Sequence, residues 1–398
     1  MVASDTQPYA GLKVLDLSQG VAGPYCAAML GLQGARVVKV EPPSGDWVRL
    51  LGGGQAGMTA LFIASNLGKQ SIAIDGKSSR GRALIARMAA ESDVFIENFR
   101  PGVVARLELD YETLKPANPG LVYVSITGYG DSGPWADKPG TDSVLQAFSG
   151  LAHANRDDRQ RPRRLPVAVP DTVTAMYAAQ SIGAALYARA RTGLGRHVRL
   201  SLAECCAAFQ AVPLIDTALA GGRERPPSNV PTGMFETADG YMAVLTLRDD
   251  MWQRLCSAIG RGDWLEDPRF ADSATRTANA GFINDAVADI LRTRPTRHWL
   301  DLLERNDVLC GEVQNYETFI NHPQTRHTGC FGTLRQAPYG AIAAPFLPGT
   351  VEKSTIPPAP RVGEHSVAVL RSFDYGADEI ESLISSGIVA VEAESCAR

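Results

Sequence analysis

Several features that define particular classes of protein are missing from this chain of 398 residues. Its seven cysteines form no CxxC pair, and an odd number of cysteines in a chain of this size does not indicate a disulfide framework. The longest candidate for a membrane span, residues 167–186, is interrupted by Asp171 and other polar residues. The first residues show no basic segment followed by an apolar stretch, as a signal peptide would. We therefore expect a cytoplasmic protein with no membrane partner.

Signals for metal ions and nucleic acids are missing as well. The six histidines form no HExxH motif and no pair at i,i+4 helical spacing, which argues against a metal site. A formal net charge of −4 gives no basic surface for nucleic acid. With 45% apolar and 21% charged residues, the composition is that of a globular protein with a sizeable core. We expect neither a bound metal nor a nucleic-acid partner.

The pattern along the chain predicts an α/β fold. The first half alternates short β-branched runs with longer helix-like segments, which indicates a mostly parallel sheet. We predict strands at 13–18, 35–41, 70–74, 94–97 and 121–126, and helices at 24–32, 80–91, 171–191 and 202–219, the last broken at Pro213. A charged, turn-rich break at 221–228 precedes a hairpin at 234–247 and helices to about 306, then a linking segment at 334–360 and two short helices within 365–391.

Two familiar types of site do not match the sequence. The turn after the first strand, Gly20–Tyr25, lacks the G-x-G-x-x-G glycines of a dinucleotide site. The stretch Gly130–Pro134 resembles part of a serine protease, but no partnered histidine is apparent and no G-x-S-x-G motif exists. A serine nucleophile would also need a base to activate it, which an aspartate, ionised near neutral pH, does not.

Asp171 is therefore the candidate nucleophile. It follows an apolar stretch and Pro170 at the start of a long predicted helix. The competing interpretation is an N-cap, since aspartate is among the best residues for bonding the free N–H groups at a helix start. The local pattern leaves both interpretations open.

A set of motifs in a fixed order resolves the ambiguity. The chain resembles the family III CoA-transferases, which include formyl-CoA transferase and the carnitine and dicarboxylate CoA-transferases. The resemblance covers nearly the whole chain and rests on Gly11–Leu17, Ala22–Pro24, Gly34–Pro43, Gly45–Asp46, Ile96–Gly102, Gly128–Gly130, Gln146–Gly150, Arg191–Gly193, Gly195–Arg196, Val308–Val313, His322–Gln324 and Gly363–His365.

The resemblance implies an activity and a set of site residues. Asp171 would attack the thioester of a donor acyl-CoA, forming a mixed anhydride and then an aspartyl-CoA thioester from which an acceptor carboxylic acid takes the CoA. Asp142 and Val21 fall on positions that orient the substrate. The positions that match the family's CoA-binding residues are Ala22, Ile74, Lys77, Asn98, Phe99, Arg106 and Leu202. Coenzyme A would be a substrate, with no permanently bound cofactor.

The sequence also departs from formyl-CoA transferase. That enzyme has a phosphate-facing arginine where Pro42 stands and an active-site glutamine where Val21 stands. Its mobile glycine-run loop is absent, and Asn229–Met234 lies in that region. Formate-type specificity is therefore not expected.

Two alternative functions remain. An α-methylacyl-CoA racemase pairs its aspartate with a histidine, but the matching position is Thr141, which cannot act as that base. A non-catalytic CoA-binding module would keep Lys77, Arg106 and Asn98 but have no use for Asp171. The arginine-rich segment Arg156–Arg164 is a solvated loop in one interpretation, and in another supplies an arginine for the second carboxylate of a dicarboxylic substrate.

The resemblance finally implies an architecture. Residues 1–220 would form the first part of a large Rossmann-like, CoA-binding domain. Residues 221–330 would form a smaller α+β domain inserted into it, and residues 331–398 a linker and the return to the large domain. The family forms an interlocked homodimer, so a second copy of the chain is the expected partner, beside an acyl-CoA and a carboxylic acid.

Overall fold

The computed structural model describes residues 7–157, 159–223, 229–350, 353 and 355–392. The chain divides into two compact units, one formed by Met1–Gln210 with Gly329–Arg398 and the other by Ala211–Thr328. We call them the large unit and the small unit. The first boundary lies at residue 210 and not at 220, because the helix Ala211–Leu219 groups with the small unit. Of the predicted break at 221–228, residues 224–228 lie outside the described part.

The first part of the large unit alternates strands and helices, as the sequence predicts. Its strands are β1 (Lys13–Asp16), β2 (Arg36–Glu41), β3 (Gln70–Ile74), β4 (Val94–Glu97), β5 (Val122–Thr127) and β6 (Arg196–Ser201). Its helices are α1 (Ala22–Leu32), α2 (Ala60–Asn66), α3 (Ser79–Ala90), α4 (Val103–Arg106), α5 (Tyr111–Leu114), α6 (Asp142–Phe148), α7 (Leu151–Ala154), α8 (Val169–Thr192) and α9 (Leu202–Phe209).

The small unit combines helices with a three-stranded antiparallel sheet of order β7-β8-β9. Its elements are α10 (Ala211–Leu219), β7 (Thr232–Glu236), β8 (Tyr241–Leu245), α11 (Asp249–Ala258), α12 (Ser273–Ala278), α13 (Ala280–Leu291), α14 (Thr296–Arg305), β9 (Leu309–Glu312), α15 (Tyr316–Asn321) and α16 (Pro323–His327). Its core is built around the stacked rings of Trp252 and Trp264, with Phe270 against them.

The chain then returns to the large unit through β10 (Phe331–Gln336), β11 (Gly340–Pro345), α17 (Ser366–Ser372), α18 (Ala377–Ser385) and β12 (Val389–Ala390). The described residues of the large unit form a seven-stranded sheet of order β12-β3-β2-β1-β4-β5-β6. Strands β1 to β6 are parallel, and β12 joins β3 in the antiparallel direction. The prediction of an α/β fold with a mostly parallel sheet is confirmed.

Alternating residues of the strands face two apolar layers, as the two-residue period of a strand requires. Leu15, Val38 and Phe95 face a layer to which α3, α17 and α18 contribute. Val14, Val37 and Val94 face a second layer to which α1 and α8 contribute. The central sheet is therefore covered on both sides, which explains why buried apolar residues occupy both faces of its strands.

Two predictions about the connecting segments are wrong. The long helix breaks at Gln210, between α9 and α10, and not at Pro213. Pro213 lies in the first turn of α10, where a missing N–H removes no helical hydrogen bond. The segment predicted as a linker contains the antiparallel hairpin β10–β11.

No single helix in the described ranges is long and apolar enough to cross a membrane. Helices α9 and α10 reach the required length and composition only when taken together, across a bend of 69°.

Three buried ion pairs lie near the carboxyl ends of β1 and β2. Lys69 Nζ lies 2.7 Å from Asp16, Lys39 Nζ lies 2.9 Å from Asp46, and an Arg49 nitrogen lies 2.8 Å from Glu41. Burial alone would raise the pKa of Asp16, but Lys69 and Lys39 hold it below its usual range. These pairs fix the ends of β1 and β2 and the loops that follow them.

Candidate active site

A pocket of about 310 Å³ opens at the centre of the sheet, at the carboxyl ends of the parallel strands. The chain leaves β1 toward β2 on one side, whereas β4 lies on the other, so the strand order reverses at β1. Open parallel sheets bind ligands at this point, because the loops diverge there and leave a crevice. The lining residues are Gln19, Gly20, Val21, Ala22, Trp47, Asn98, Phe99, Arg100, Ile126, Thr127, Gly128, Gly140, Thr141, Asp142, Asp171 and Leu202.

Most of the residues singled out from the sequence lie in this pocket. Its lining includes Asp171, Asp142, Val21, Ala22, Asn98, Phe99 and Leu202. Ile74, Lys77 and Arg106 lie elsewhere in the large unit. Ile74 is 2% exposed in the core beside β12, whereas Lys77 and Arg106 are exposed to solvent. A contact of these three residues with CoA stays a prediction.

Asp171 lies in the first turn of α8 but does not cap it. The helix begins at Val169 after the N-cap Ala168, so the N-cap interpretation of Asp171 is wrong. Within the described residues, no hydrogen-bond donor engages its partly buried carboxylate. The side chain is thus free to react with a molecule in the pocket.

Burial raises the pKa of Asp171 to about 7, and the negative charge of Asp142 contributes to the shift. The expectation that this carboxyl group is fully ionised near neutral pH is therefore wrong. Near pH 7 the group is poised between its neutral and ionised forms. A group poised in this way inside a pocket is a candidate for catalysis.

Asp142 is the first residue of α6 and lies in the same pocket. Its Oδ1 accepts a hydrogen bond of 2.8 Å from the side-chain amide of Gln146, and its buried Oδ2 has no partner among the described residues. Burial raises the pKa of Asp142 as well, although the Gln146 amide, the backbone N–H of Asp171 and the charge of Arg164 oppose the shift. The pocket thus holds two acids that resist carrying two negative charges at once.

Gln146 links the two acids. Its fully buried side chain donates to Asp142, accepts from the backbone N–H of Leu165 at 2.8 Å, and donates to the carbonyl of Val167 at 3.1 Å. Residues 165–167 lead directly into α8. One side chain therefore fixes Asp142 relative to the helix that carries Asp171.

Sequence reasoning missed Arg100, Trp47 and the role of Gln146. Arg100 is exposed and is the basic residue among those that line the pocket. It directly follows Asn98 and Phe99 within the motif Ile96–Gly102, so its position in the sequence indicated a place in the pocket. Trp47 reaches the pocket from a short 3-10 turn at Trp47–Leu50, and no sequence pattern indicated that position.

The arginines of the segment Arg156–Arg164 have different surroundings in the structure. Arg161 pairs with Asp157 at 3.0 Å, and both residues lie in the loop itself. Arg164 acts electrostatically on Asp142. Residue 158 lies outside the described part of the segment.

Comparison with known proteins gives one consistent result. Residues 9–366 match the model of CoA-transferase family III. The chain is 32% identical to the succinate–glutarate CoA-transferase of Agrobacterium fabrum, over 92% of this chain and 96% of that one. It is 31% identical to the human succinyl-CoA:glutarate CoA-transferase, over 97% and 91% of the two chains.

The fold gives the same result. The crystal structure of a CAIB/BAIF family protein from Brucella suis matches with a TM-score of 0.81 and 31% identity, over 92% of this chain and 100% of that one. The family model covers all of the residues that line the pocket. The chain belongs to CoA-transferase family III and is an enzyme whose substrates are CoA thioesters.

Proposed function

We propose that this enzyme moves coenzyme A from an acyl-CoA donor to a carboxylic acid through covalent intermediates on Asp171. The observation that carries the proposal is the Asp171 carboxylate, which has no partner among the described residues and lies in the pocket where the strand order of the sheet reverses. A carboxylate nucleophile conserves the free energy of the thioester, because each intermediate is itself an activated acyl group.

The steps follow from the nucleophile. A carboxylate oxygen of Asp171 attacks the thioester carbonyl of the donor and the C–S bond breaks. CoA departs as a thiolate, and the acyl group stays on Asp171 as a mixed anhydride. The thiolate attacks the Asp171 carbonyl, releases the donor acid and leaves an aspartyl-CoA thioester. The acceptor carboxylate then attacks this thioester, which gives a second mixed anhydride and releases the CoA thiolate. The thiolate attacks the acceptor's carbonyl carbon in that anhydride, which forms the new acyl-CoA and regenerates the Asp171 carboxylate.

Other residues of the pocket suit these steps. Helix α1 begins at Ala22, and its N-cap residue Val21 makes no side-chain hydrogen bond to it. N–H groups of the first turn are therefore available to a developing oxyanion in the pocket. Asp142 raises the basicity of Asp171 and orients the substrate with Val21. The proposal includes Lys77 and Arg106 as partners of the CoA phosphates, since both are exposed cations of the large unit.

The proposal also includes a homodimer of the interlocked type. In its support, α10 exposes several large apolar side chains, including Val212 at 80% and Leu219 at 72%. Apolar surface of this kind is usually covered by a partner. Light scattering in solution distinguishes a dimer from a monomer directly.

Intact-protein mass spectrometry with a panel of acyl-CoAs tests the mechanism. The wild-type enzyme is expected to gain the mass of CoA less water, and one particular carboxylic acid is expected to discharge the adduct. Peptide mapping is expected to locate the adduct on Asp171. Exchange of the α-proton into deuterated water without any adduct would instead establish the racemase-like alternative.

The rate of acylation is expected to rise with pH. The anionic form of Asp171 is the nucleophile, and its pKa is raised to about 7. At subsaturating donor, the rate is therefore expected to increase roughly tenfold between pH 6 and pH 8 and then level off. In an Asp142→Asn variant the midpoint is expected at lower pH, because a neighbouring negative charge is gone. An unchanged midpoint in that variant would show that the two acids do not interact.

The acceptor in our proposal is a dicarboxylic acid. The named substrates of two relatives, succinate and glutarate, are of this class, and Arg100 supplies a cation at the pocket for the second carboxylate. A charged hydrogen bond of this kind contributes about 1.5–3 kcal/mol, so Arg100→Met is expected to raise the KM of the dicarboxylate roughly 10- to 100-fold.

The matched monocarboxylate of equal chain length provides the internal comparison, and its KM is expected to stay unchanged. Arg371→Met, at an exposed position of α17, is the control variant. Equal losses with both acids, or slower loading of Asp171 by the donor, would assign Arg100 to CoA and not to the acceptor.

A further inference from the structure

The turn that joins β1 to α1 is held from two sides by side chains of distant segments. On one side, Asn98 Oδ1 accepts from the backbone N–H of Gln19 at 2.8 Å, and its Nδ2 donates to the carbonyl of the same residue at 2.5 Å. On the other side, both carboxylate oxygens of Asp46 accept from the backbone N–H of Gly20, at 3.2 and 3.3 Å. Both residues of the turn are therefore fixed, and both line the pocket.

Asp46 is itself rigidly placed. Its side chain is fully buried, pairs with Lys39 at 2.9 Å and accepts from the backbone N–H of Val48 at 3.2 Å. The Lys39 ammonium also donates to the carbonyl of Ser18 at 2.9 Å, so the residue before the turn is held by the same ion pair. The buried charges beneath the pocket thus hold the backbone of its wall.

Two features of the turn favour glycine at position 20. Its φ is +84°, in the left-handed region that residues with a Cβ rarely adopt. A Cβ at this position would also lie 3.0 Å from the ring of Trp47, which lines the pocket from the next segment. An added Cβ would therefore require the turn or the Trp47 ring to shift by a few tenths of an ångström.

The geometry points to Asn98 as a positioning residue that acts on the reaction through the Gln19–Gly20 turn, with Asp46 acting on the same turn from the opposite side. The resemblance to the family placed Asn98 among the CoA-binding residues. Its amide is instead engaged at both its oxygen and its nitrogen by the backbone of Gln19. The inference rests on the proposed function, because the turn leads directly to Val21 and Ala22 beside Asp171.

The two roles predict different defects. A side chain that binds CoA contributes to affinity, so its removal raises the Kd for CoA. A side chain that aligns the wall of the pocket contributes to the rate, because a displacement of about 1 Å at a reacting centre costs on the order of 100-fold. Measuring CoA affinity and single-turnover acylation on the same variant separates the two.

Asn98→Ala is the central variant. We expect the Kd for free CoA, measured by calorimetry, to stay within about threefold of the wild-type value, and the rate of Asp171 acylation at saturating donor to fall roughly 10- to 100-fold. Asn98→Asp keeps the acceptor for the Gln19 N–H and loses the donor, so its rate is expected between those of the alanine variant and the wild type.

The chain offers a matched control in Asn118, whose side-chain amide donates to the carbonyls of Ala89 and Ser92 at 3.3 and 2.7 Å, away from the lining of the pocket. Asn118→Ala is expected to change neither quantity. Gly20→Ala is a second variant that displaces the turn, and it can be tested even if Asn98→Ala does not fold. It is expected to slow acylation of Asp171 and to leave the Kd for CoA unchanged.

Two results would overturn this inference and leave the proposed function intact. A Kd for CoA raised tenfold or more in Asn98→Ala, with acylation at saturation unchanged, would make the side chain a CoA ligand. Unchanged values of both quantities in Asn98→Ala would show that the turn does not depend on it. A wild-type enzyme that forms no adduct with any donor would refute the proposed function, and this inference with it.

Discussion

Replacing Asp171 with asparagine is expected to eliminate the covalent CoA adduct and to lower CoA transfer by on the order of 10⁴-fold. The amide has nearly the shape of the carboxylic acid but lacks a nucleophilic oxygen anion. Substrate binding is therefore expected to remain while the chemistry is lost. The measurement is the mass of the intact protein after incubation with the donor acyl-CoA, together with the steady-state rate.

Asp378 offers a matched control, since it is an exposed acid in the first turn of α18, another helix of the large unit. Asp378→Asn is expected to leave both the adduct and the rate at wild-type levels. An adduct that persists in Asp171→Asn would mean that a different residue is the nucleophile. Asp142 would then be the next residue to test, because it lies in the same pocket and its Oδ2 has no partner among the described residues.

The second large effect concerns stability. Lys69→Met is expected to lower the free energy of unfolding by about 3–5 kcal/mol, the usual cost of removing one partner of a buried ion pair. The Lys69 ammonium is fully buried, and it donates to Asp16 at 2.7 Å, to the carbonyl of Pro24 at 2.7 Å and to Asn66 at 2.8 Å. Its removal leaves a buried carboxylate and two buried acceptors without their donor.

Urea unfolding, followed by circular dichroism, measures this loss as a lower midpoint. Arg297 provides the control, since it pairs with Asp301 at 2.7 Å while its side chain is 80% exposed. Arg297→Met is expected to leave the midpoint unchanged, because exposed ion pairs add little to stability. A comparable midpoint for Lys69→Met and the wild type would show that Asp16 finds another partner, such as Lys39.

The central sheet was largely predictable because its strands are buried on both faces. The predicted strands at 70–74 and 94–97 have the observed bounds, since Ile72, Ile74 and the run Val94–Ile96 are residues that favour strands. Strand β6 was missed because Arg196 and Arg199 place charges on an edge strand. Strand β11 was missed because Gly340–Pro345 has little intrinsic preference for strand, and pairing with β10 supplies what the local sequence lacks.

The sequence predicted several of the residues that line the candidate pocket, but not the electrostatics of the pocket. The motifs placed Asp171 and Asp142 near each other, but they carried no information about burial. The raised pKa of Asp171 depends on the desolvation that the folded pocket imposes and on the charge of Asp142 across it. The role of Asn98 was also beyond the sequence, since its partner Gln19 is far away along the chain and contacts it only through backbone atoms.

The late position of β12 in the chain has a consequence for biosynthesis. Strand β12 pairs with β3, and α17 and α18 cover the sheet face to which Leu15 and Phe95 belong. A ribosome therefore synthesises the whole small unit before the residues that complete the large one. The nascent chain carries an unpaired strand edge and an uncovered apolar face until α17, α18 and β12 have been synthesised, which makes this interval the time when chaperones are most needed.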